Sequence, residues 1–161
     1  MRKHMKIKIF FTLLFSCLLI SCDGTLGGFD NRIFSTPKKN IEKAIDTLFV
    51  NNAELEIPEK WKEYDTWKKR GFGSLDTRIF YFQSEPEEMY YVSFVGDGNE
   101  KQDENGPTIL AIRSIFTKRH NKWLKEEDCD DNLKERIENR FDTEIISKLE
   151  KYSGIKAIRK H

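Results

Sequence analysis

The clearest periodic pattern of apolar and polar positions lies near the C-terminus, between the segments "DCDDN" and "YSGIK". Apolar side chains recur there every four residues, at Leu133, Ile137, Phe141, Ile145 and Leu149. This spacing places them on one face of a helix, so we predict an amphipathic helix of about 20 residues. Asp130 and Asp131 favour the start of the helix through its dipole, and Gly154 is expected to end it.

A second helical pattern covers residues 36–49. Its apolar face consists of Ile41, Ala44, Ile45, Leu48 and Phe49. Thr36 is expected to cap this helix, and Pro37 suits its first position because a proline needs no amide hydrogen there.

Three segments between the helices are rich in β-forming side chains: 78–83, 89–96 and 108–118. Polar, turn-forming residues at 84–88 and 97–107 separate them. These short connections favour an antiparallel meander. We therefore predict an α+β fold, in which a three-stranded antiparallel sheet is flanked by the N-terminal helix and the long C-terminal helix, as a single domain over 36–161.

The segment 59–76 carries aromatic side chains at Trp61, Tyr64 and Trp67, three residues apart. This spacing suits one or two helical turns, and the glycines at 71 and 73 then break the chain. Two interpretations stay open. The three rings either form an aromatic surface for a sugar or a protein partner, or they pack into the core, which is the commoner fate of an aromatic stripe.

The N-terminus combines a basic segment at 1–8 with a predominantly apolar run of twelve residues at 9–20. A membrane-spanning helix needs about 20 apolar residues, so this run is too short to be one. The basic flank, the apolar length and the small residue Ser21 are instead typical of a secretory signal peptide.

The apolar run ends at "LISC", which comprises Leu19, Ile20, Ser21 and Cys22. This tetrapeptide resembles the lipobox of bacterial lipoproteins. The resemblance covers only the signal, and it implies that the Cys22 thiol receives a diacylglyceryl group and that residues 1–21 are removed. Residues 22–35, rich in glycine, would then be a flexible tether to the membrane. The protein would be exported and held by its lipid on the periplasmic side or on the cell surface.

Charge changes the picture once the signal peptide is set aside. The whole chain has a net charge of +1, but residues 1–21 contain four basic residues and no acid. The remaining 24 Lys and Arg face 27 Asp and Glu, which gives a net charge of −3. A mildly acidic domain is poorly suited to nucleic acid, so we expect no such partner.

Candidate metal and nucleophilic sites are weak. The loop that begins at Asp97 contains many oxygen ligands, but its sixth and twelfth positions are Gln102 and Thr108, where an EF-hand needs Gly and Glu. Acidic neighbours disfavour a reactive thiolate at Cys129. After processing, His120 and the terminal His161 are the remaining histidines. We predict no metal, no cofactor and no catalytic residue.

The chain has no nucleophile elbow, Walker loop, dinucleotide fingerprint or HExxH motif. We therefore expect a non-catalytic, lipid-anchored envelope protein with a binding or accessory role. One alternative is an inhibitor or immunity-type lipoprotein that neutralises an envelope-acting enzyme or toxin. Another is a small hydrolase that uses His120, which would require a deep pocket around that side chain.

Overall fold

The computed structural model of the chain describes residues 29–73, 75–96 and 106–160. The signal segment, Cys22, the first half of the expected tether, the acidic loop at 97–105 and His161 lie outside the described residues.

The centre of the fold is one six-stranded sheet in which every pair is antiparallel. The strands are β1 (Asn31–Phe34), β2 (Thr77–Phe82), β3 (Glu88–Phe94), β4 (Thr108–Thr117), β5 (Lys122–Leu124) and β6 (Ala157–Lys160). Their order is β2-β3-β4-β1-β6, and β5 also pairs with β4. The predicted α+β class and antiparallel sheet are confirmed, and β2, β3 and β4 are the three predicted strands. The predicted number of strands is wrong, since the sheet has six.

Strand β1 corrects the expected tether over 22–35 and the domain start at 36. Asn31–Phe34 lies inside the sheet, where Arg32 stands opposite Leu110 of β4 on one side and Arg159 of β6 on the other. Arg32 and Phe34 point inward and are buried. The folded part therefore begins before residue 36, because this short strand has partners on both edges.

The helices are α1 (Lys38–Asn51), α2 (Asp131–Phe141) and α3 (Ser147–Ser153), and a π-helical turn at Asp142–Ile146 joins α2 to α3. We call residues 131–153 the C-terminal helix. Pro37 precedes α1 as its N-cap rather than forming its first turn. Thr36 does not cap the helix either, and its hydroxyl instead accepts a hydrogen bond from Asn40. Gly154 ends α3 in a left-handed conformation, as predicted.

The π turn explains how side chains spaced by four stay on one face. A step of four residues overshoots a full turn of an α-helix by about 40°. Over the four steps from Leu133 to Leu149 the stripe would rotate by about 160°. The wider π turn takes up part of this rotation. Ile137, Ile145 and Leu149 are all fully buried against the sheet.

Both faces of the sheet are covered. The two helical segments pack on one face and form the main core with Phe80, Phe82 and Tyr90. The other face is covered by the segment 53–73, which contains 3₁₀ turns at Ala53–Leu55, Glu59–Tyr64 and Lys68–Arg70. All seven residues of β3 are buried for this reason. Within the described ranges, no helix has the length and apolar character needed to cross a membrane.

Candidate functional site

A pocket opens on the sheet face that the segment 53–73 covers. It encloses about 120 Å³ between the turn at 67–72, the middle of β4 and the 3₁₀ turn Glu126–Asp128. Its lining residues are Trp67, Arg70, Phe72, Arg113, Ser114, Lys125, Glu126 and Glu127. We call this the aromatic–arginine pocket.

The aromatic wall of the pocket is the end of a column of four rings. Phe72 stacks on Trp67, and Trp67 stacks on Tyr91, with centroid distances of 4.4 Å in both cases. Trp123 continues the column at 4.3 Å from Tyr91. The Trp67 amide donates a hydrogen bond of 3.2 Å to the Tyr91 hydroxyl, which in turn donates to Asp65. The column fixes the orientation of the wall before any ligand binds.

Gly71 turns the chain so that Phe72 comes back onto Trp67. It ends the 3₁₀ turn Lys68–Arg70 with φ of +91°, a value that side chains with a Cβ rarely adopt. The Phe72 amide then donates to the Trp67 carbonyl at 3.3 Å. The local sequence thus sets the geometry of this side of the pocket.

A β-bulge places Arg113 at the pocket. Tyr91 of β3 stands opposite Ser114, but the next residue, Val92, stands opposite Ile112. Arg113 is the extra residue in β4, and both Arg113 and Ser114 line the pocket. Bulges commonly redirect a side chain near a functional site. The Arg113 Nε donates a hydrogen bond of 2.6 Å to the Ser93 hydroxyl, which holds the guanidinium in place.

The charges around the pocket are unevenly paired. Glu126 forms an ion pair with Lys134, and Glu127 lies 3.3 Å from the Lys125 ammonium. Arg70 forms no ion pair with a residue that the structure describes, and its guanidinium lies 5.7 Å from the centre of the Phe72 ring. Burial lowers the pKa of Arg113, yet a guanidinium stays charged at neutral pH. The pocket therefore presents positive charge beside an aromatic wall.

One polar atom in the wall has no partner. The indole Nε1 of Trp67 is buried and finds no acceptor in the described part of the chain. Trp61 Nε1 is in the same situation, but Trp61 lies in the small core cluster with Tyr81, Met89 and Phe116 and does not line the pocket.

The structure separates the three aromatic residues singled out from the sequence. Trp61 and Trp67 are buried, so the rings of Trp61, Tyr64 and Trp67 do not form an open surface. Tyr64 is half-buried and stacks on Phe116 at 4.5 Å. These aromatic side chains therefore pack on the sheet. Of the three residues, only Trp67 lines the pocket.

His120 and Cys129 lie away from the pocket lining. His120 is exposed in the turn between β4 and β5, where its Nδ1 lies 2.9 Å from the Thr117 hydroxyl. Cys129 is half-buried, and its thiol donates to the Lys125 carbonyl at 3.3 Å. Among the residues that the structure describes, no group of three His, Cys, Asp or Glu is placed to hold a metal ion.

Comparison with protein-family models, with curated proteins and with solved structures found no match for this chain.

Proposed function

We propose that the protein is a lipid-anchored binding domain of the bacterial cell envelope and does not act as a catalyst. The observation that carries the anchor is the lipobox-like "LISC", in which Cys22 follows a short apolar run and a basic N-terminus. Two or more acyl chains on one cysteine anchor a protein stably, because each buried methylene contributes about 0.8 kcal/mol.

The start of β1 sets how far the domain can stand from such an anchor. Asn31, where the sheet begins, lies nine positions after Cys22. Even a fully extended chain of this length spans only about 30 Å. If Cys22 carries the lipid, the domain lies close to the bilayer and meets its ligands at the membrane surface.

The aromatic–arginine pocket supports a binding role. Its aromatic wall is fixed by stacking, and its carboxylates are engaged by lysines. Such a lining is suited to holding a ligand by stacking and by charge. The hydrolase alternative required a deep pocket around His120, whose side chain is exposed.

The anchor is tested by expressing the full chain in a bacterium and measuring its intact mass after detergent extraction. We expect the mass of residues 22–161 plus acyl chains. Cys22→Ala should abolish the added mass and the cleavage. Cys17→Ala is the matched control, because Cys17 lies within the apolar run and should be discarded with it.

Retention of the same acyl mass in Cys22→Ala would contradict the anchor. An unmodified chain of 161 residues from the wild-type gene would contradict it as well. Isolation of the protein in complex with an enzyme that loses activity would instead favour the inhibitor alternative.

A further inference from the structure

We propose that the aromatic–arginine pocket binds a carboxylate carried on a single aromatic ring. This inference rests on the proposed binding function and names the ligand class of the same site. Three observations carry it: the volume of the pocket, its stacked aromatic wall and the two guanidinium groups at Arg70 and Arg113.

The volume limits the ligand to about one ring. The pocket encloses about 120 Å³. For comparison, an apolar cavity of roughly 150 Å³ engineered into another protein binds benzene. One six-membered ring, with its acidic substituent left at the mouth, is therefore the upper limit for a ligand, and a nucleotide or a disaccharide is too large.

The wall selects a planar group. Phe72 and Trp67 lie nearly parallel, with an angle of 26° between their rings. Because the column through Tyr91 already holds Trp67, a ligand ring meets a surface that needs no rearrangement. Trp67 lies between Phe72 and Tyr91 in the column. Arg70 lies over the Phe72 ring, so a ligand ring meets the edges of this wall. Edge-to-face contact is one of the arrangements that aromatic pairs favour.

The guanidinium groups select an anion. A carboxylate matches the planar fork of an arginine, and the pair is stronger where water is partly excluded. The Ser93 hydroxyl engages Arg113 through its Nε and thereby fixes the plane of the guanidinium. Arg70 and Arg113 disfavour a cationic ligand, although the aromatic wall alone would attract one.

Two sources supply this chemistry. One is a free aromatic acid, and the other is the C-terminal aromatic residue of a polypeptide. Both present a carboxylate close to a single ring, so the pocket recognises the same group in each. The experiment below distinguishes them.

The test uses the processed, lipidated protein in detergent. Binding is measured by the change in tryptophan fluorescence and by the heat released on titration. The probes are phenylacetate, N-acetyl-phenylalanine and a tripeptide with a C-terminal phenylalanine, with N-acetyl-phenylalanine amide as the neutral control. We expect saturable binding of the acids and loss of binding for the amide. Tighter binding of the tripeptide than of phenylacetate identifies a polypeptide end, and the reverse identifies a free acid.

Arg70→Gln is the main variant, because Arg70 is exposed and its replacement leaves the core intact. We expect it to weaken binding of the acids by about tenfold, the effect of losing one charge-assisted hydrogen bond. Arg119→Gln removes an equivalent charge from the exposed turn after β4, outside the pocket lining, and should change the affinity less than twofold, within about 0.4 kcal/mol.

Absence of saturation up to about 10 mM would overturn the proposal, as would equal affinity for the acid and its amide. Equal weakening by Arg70→Gln and Arg119→Gln would also overturn it, since that result indicates bulk charge. The mass of the acylated Cys22 form is measured on the same sample. A correctly lipidated protein that binds no acid would therefore contradict the ligand class and leave the anchor standing.

Discussion

The guanidinium of Arg32 in β1 forms a bidentate ion pair with the carboxylate of Asp142 in the π turn of the C-terminal helix. The two hydrogen bonds measure 2.5 Å from Nε to Oδ1 and 2.9 Å from Nη2 to Oδ2. Arg159 of β6 joins the same cluster by ion pairs with Asp30 and Glu138. Arg32 is only 1% exposed, whereas Asp142 is half-buried and Arg159 is exposed, so a partly buried network of two arginines and three acids connects two strands to the helix.

We expect Arg32→Met to lower the free energy of unfolding by about 3 kcal/mol. The replacement keeps the apolar stem of the side chain but leaves the half-buried Asp142 with only the longer ion pair to Arg159. Breaking a buried pair typically costs about 3–5 kcal/mol, and the partial exposure of Asp142 places the loss at the lower end. The measurement is urea unfolding followed by circular dichroism.

The control for this variant is Lys62→Met, which removes an exposed ion pair with Glu59. Exposed pairs contribute little, so the unfolding midpoint should stay nearly unchanged. Similar losses in the two variants would contradict the importance of the partly buried network around Arg32.

Asp76 should contribute a pH-dependent part of the stability. Burial alone would raise the pKa of Asp76, but hydrogen bonds from Lys38, at 2.7 Å, and from Arg78 hold it below the usual value. A group with a lowered pKa in the folded state stabilises the protein above its unfolded pKa of about 3.9 and loses this effect as the pH falls further. The difference in unfolding free energy between wild type and Asp76→Asn should therefore be largest near pH 6 and shrink below about pH 4.

This prediction is checked by urea unfolding at a series of pH values. Asp46→Asn serves as control, because Asp46 is exposed on α1 and pairs with no residue in the described ranges. A difference for Asp76→Asn that stays constant from pH 6 to about pH 3 would show that its ion pairs do not contribute in this way.

Gly71 and Gly73 should respond in opposite ways to replacement by alanine. Gly71→Ala forces a Cβ into a left-handed conformation, which costs about 1–2 kcal/mol. Gly73 has no such conformation, and an added Cβ would meet Lys68 at an ordinary contact distance of 3.7 Å. Gly73→Ala should be neutral or stabilising by up to about 1 kcal/mol, since alanine restricts the unfolded chain. Thermal unfolding of both variants provides the comparison, and equal losses would contradict the conformational argument.

Cys129 should react slowly with a disulfide reagent in the folded protein. Burial, together with the negative charges of Asp128 and Asp130, raises the pKa of its thiol and reduces the thiolate fraction. The reaction rate is measured at about pH 8 in a Cys17→Ser/Cys22→Ser background, before and after unfolding in guanidinium chloride. Unfolding should accelerate the reaction by about tenfold or more.

Asp130→Asn refines this prediction. Asp130 caps α2 by accepting a hydrogen bond from the Leu133 amide at 2.8 Å, and asparagine caps equally well. The variant therefore removes a charge near Cys129 without removing the cap, and the folded protein should react faster. An unchanged rate would assign the low reactivity to burial and to the charge of Asp128.

The long elements could be predicted from the sequence because each depends on its own periodicity. The two helices and β2–β4 follow this rule. The short strands could not be predicted, because β1 and β6 have four residues each and gain their stability from pairing with distant partners. Arg32 also conceals β1, since a buried charge looks like a surface position until its ion-pair partner is known.

The pocket was harder to predict than the fold. Arg113 is a charged residue within the apolar strand segment "TILAIRSIFTK", which is a local signal of a special position. Its direction depends on the bulge opposite Tyr91 and Val92, which only the pairing of β3 and β4 reveals. The position of Phe72 depends likewise on the left-handed turn at Gly71.

The pairing of β1 with β6 has a consequence for the order of folding. It joins Asn31 to Lys160, so a loop of more than a hundred residues must close before these strands meet. The hairpin of β2 and β3 closes over a few residues, and loop closure becomes more costly with length. We expect the local hairpins to form first and β1 to lock into the sheet last. If the protein is exported unfolded through a translocation channel, as the proposed function requires, the sheet edge nearest the proposed anchor would stay open until β6 has emerged.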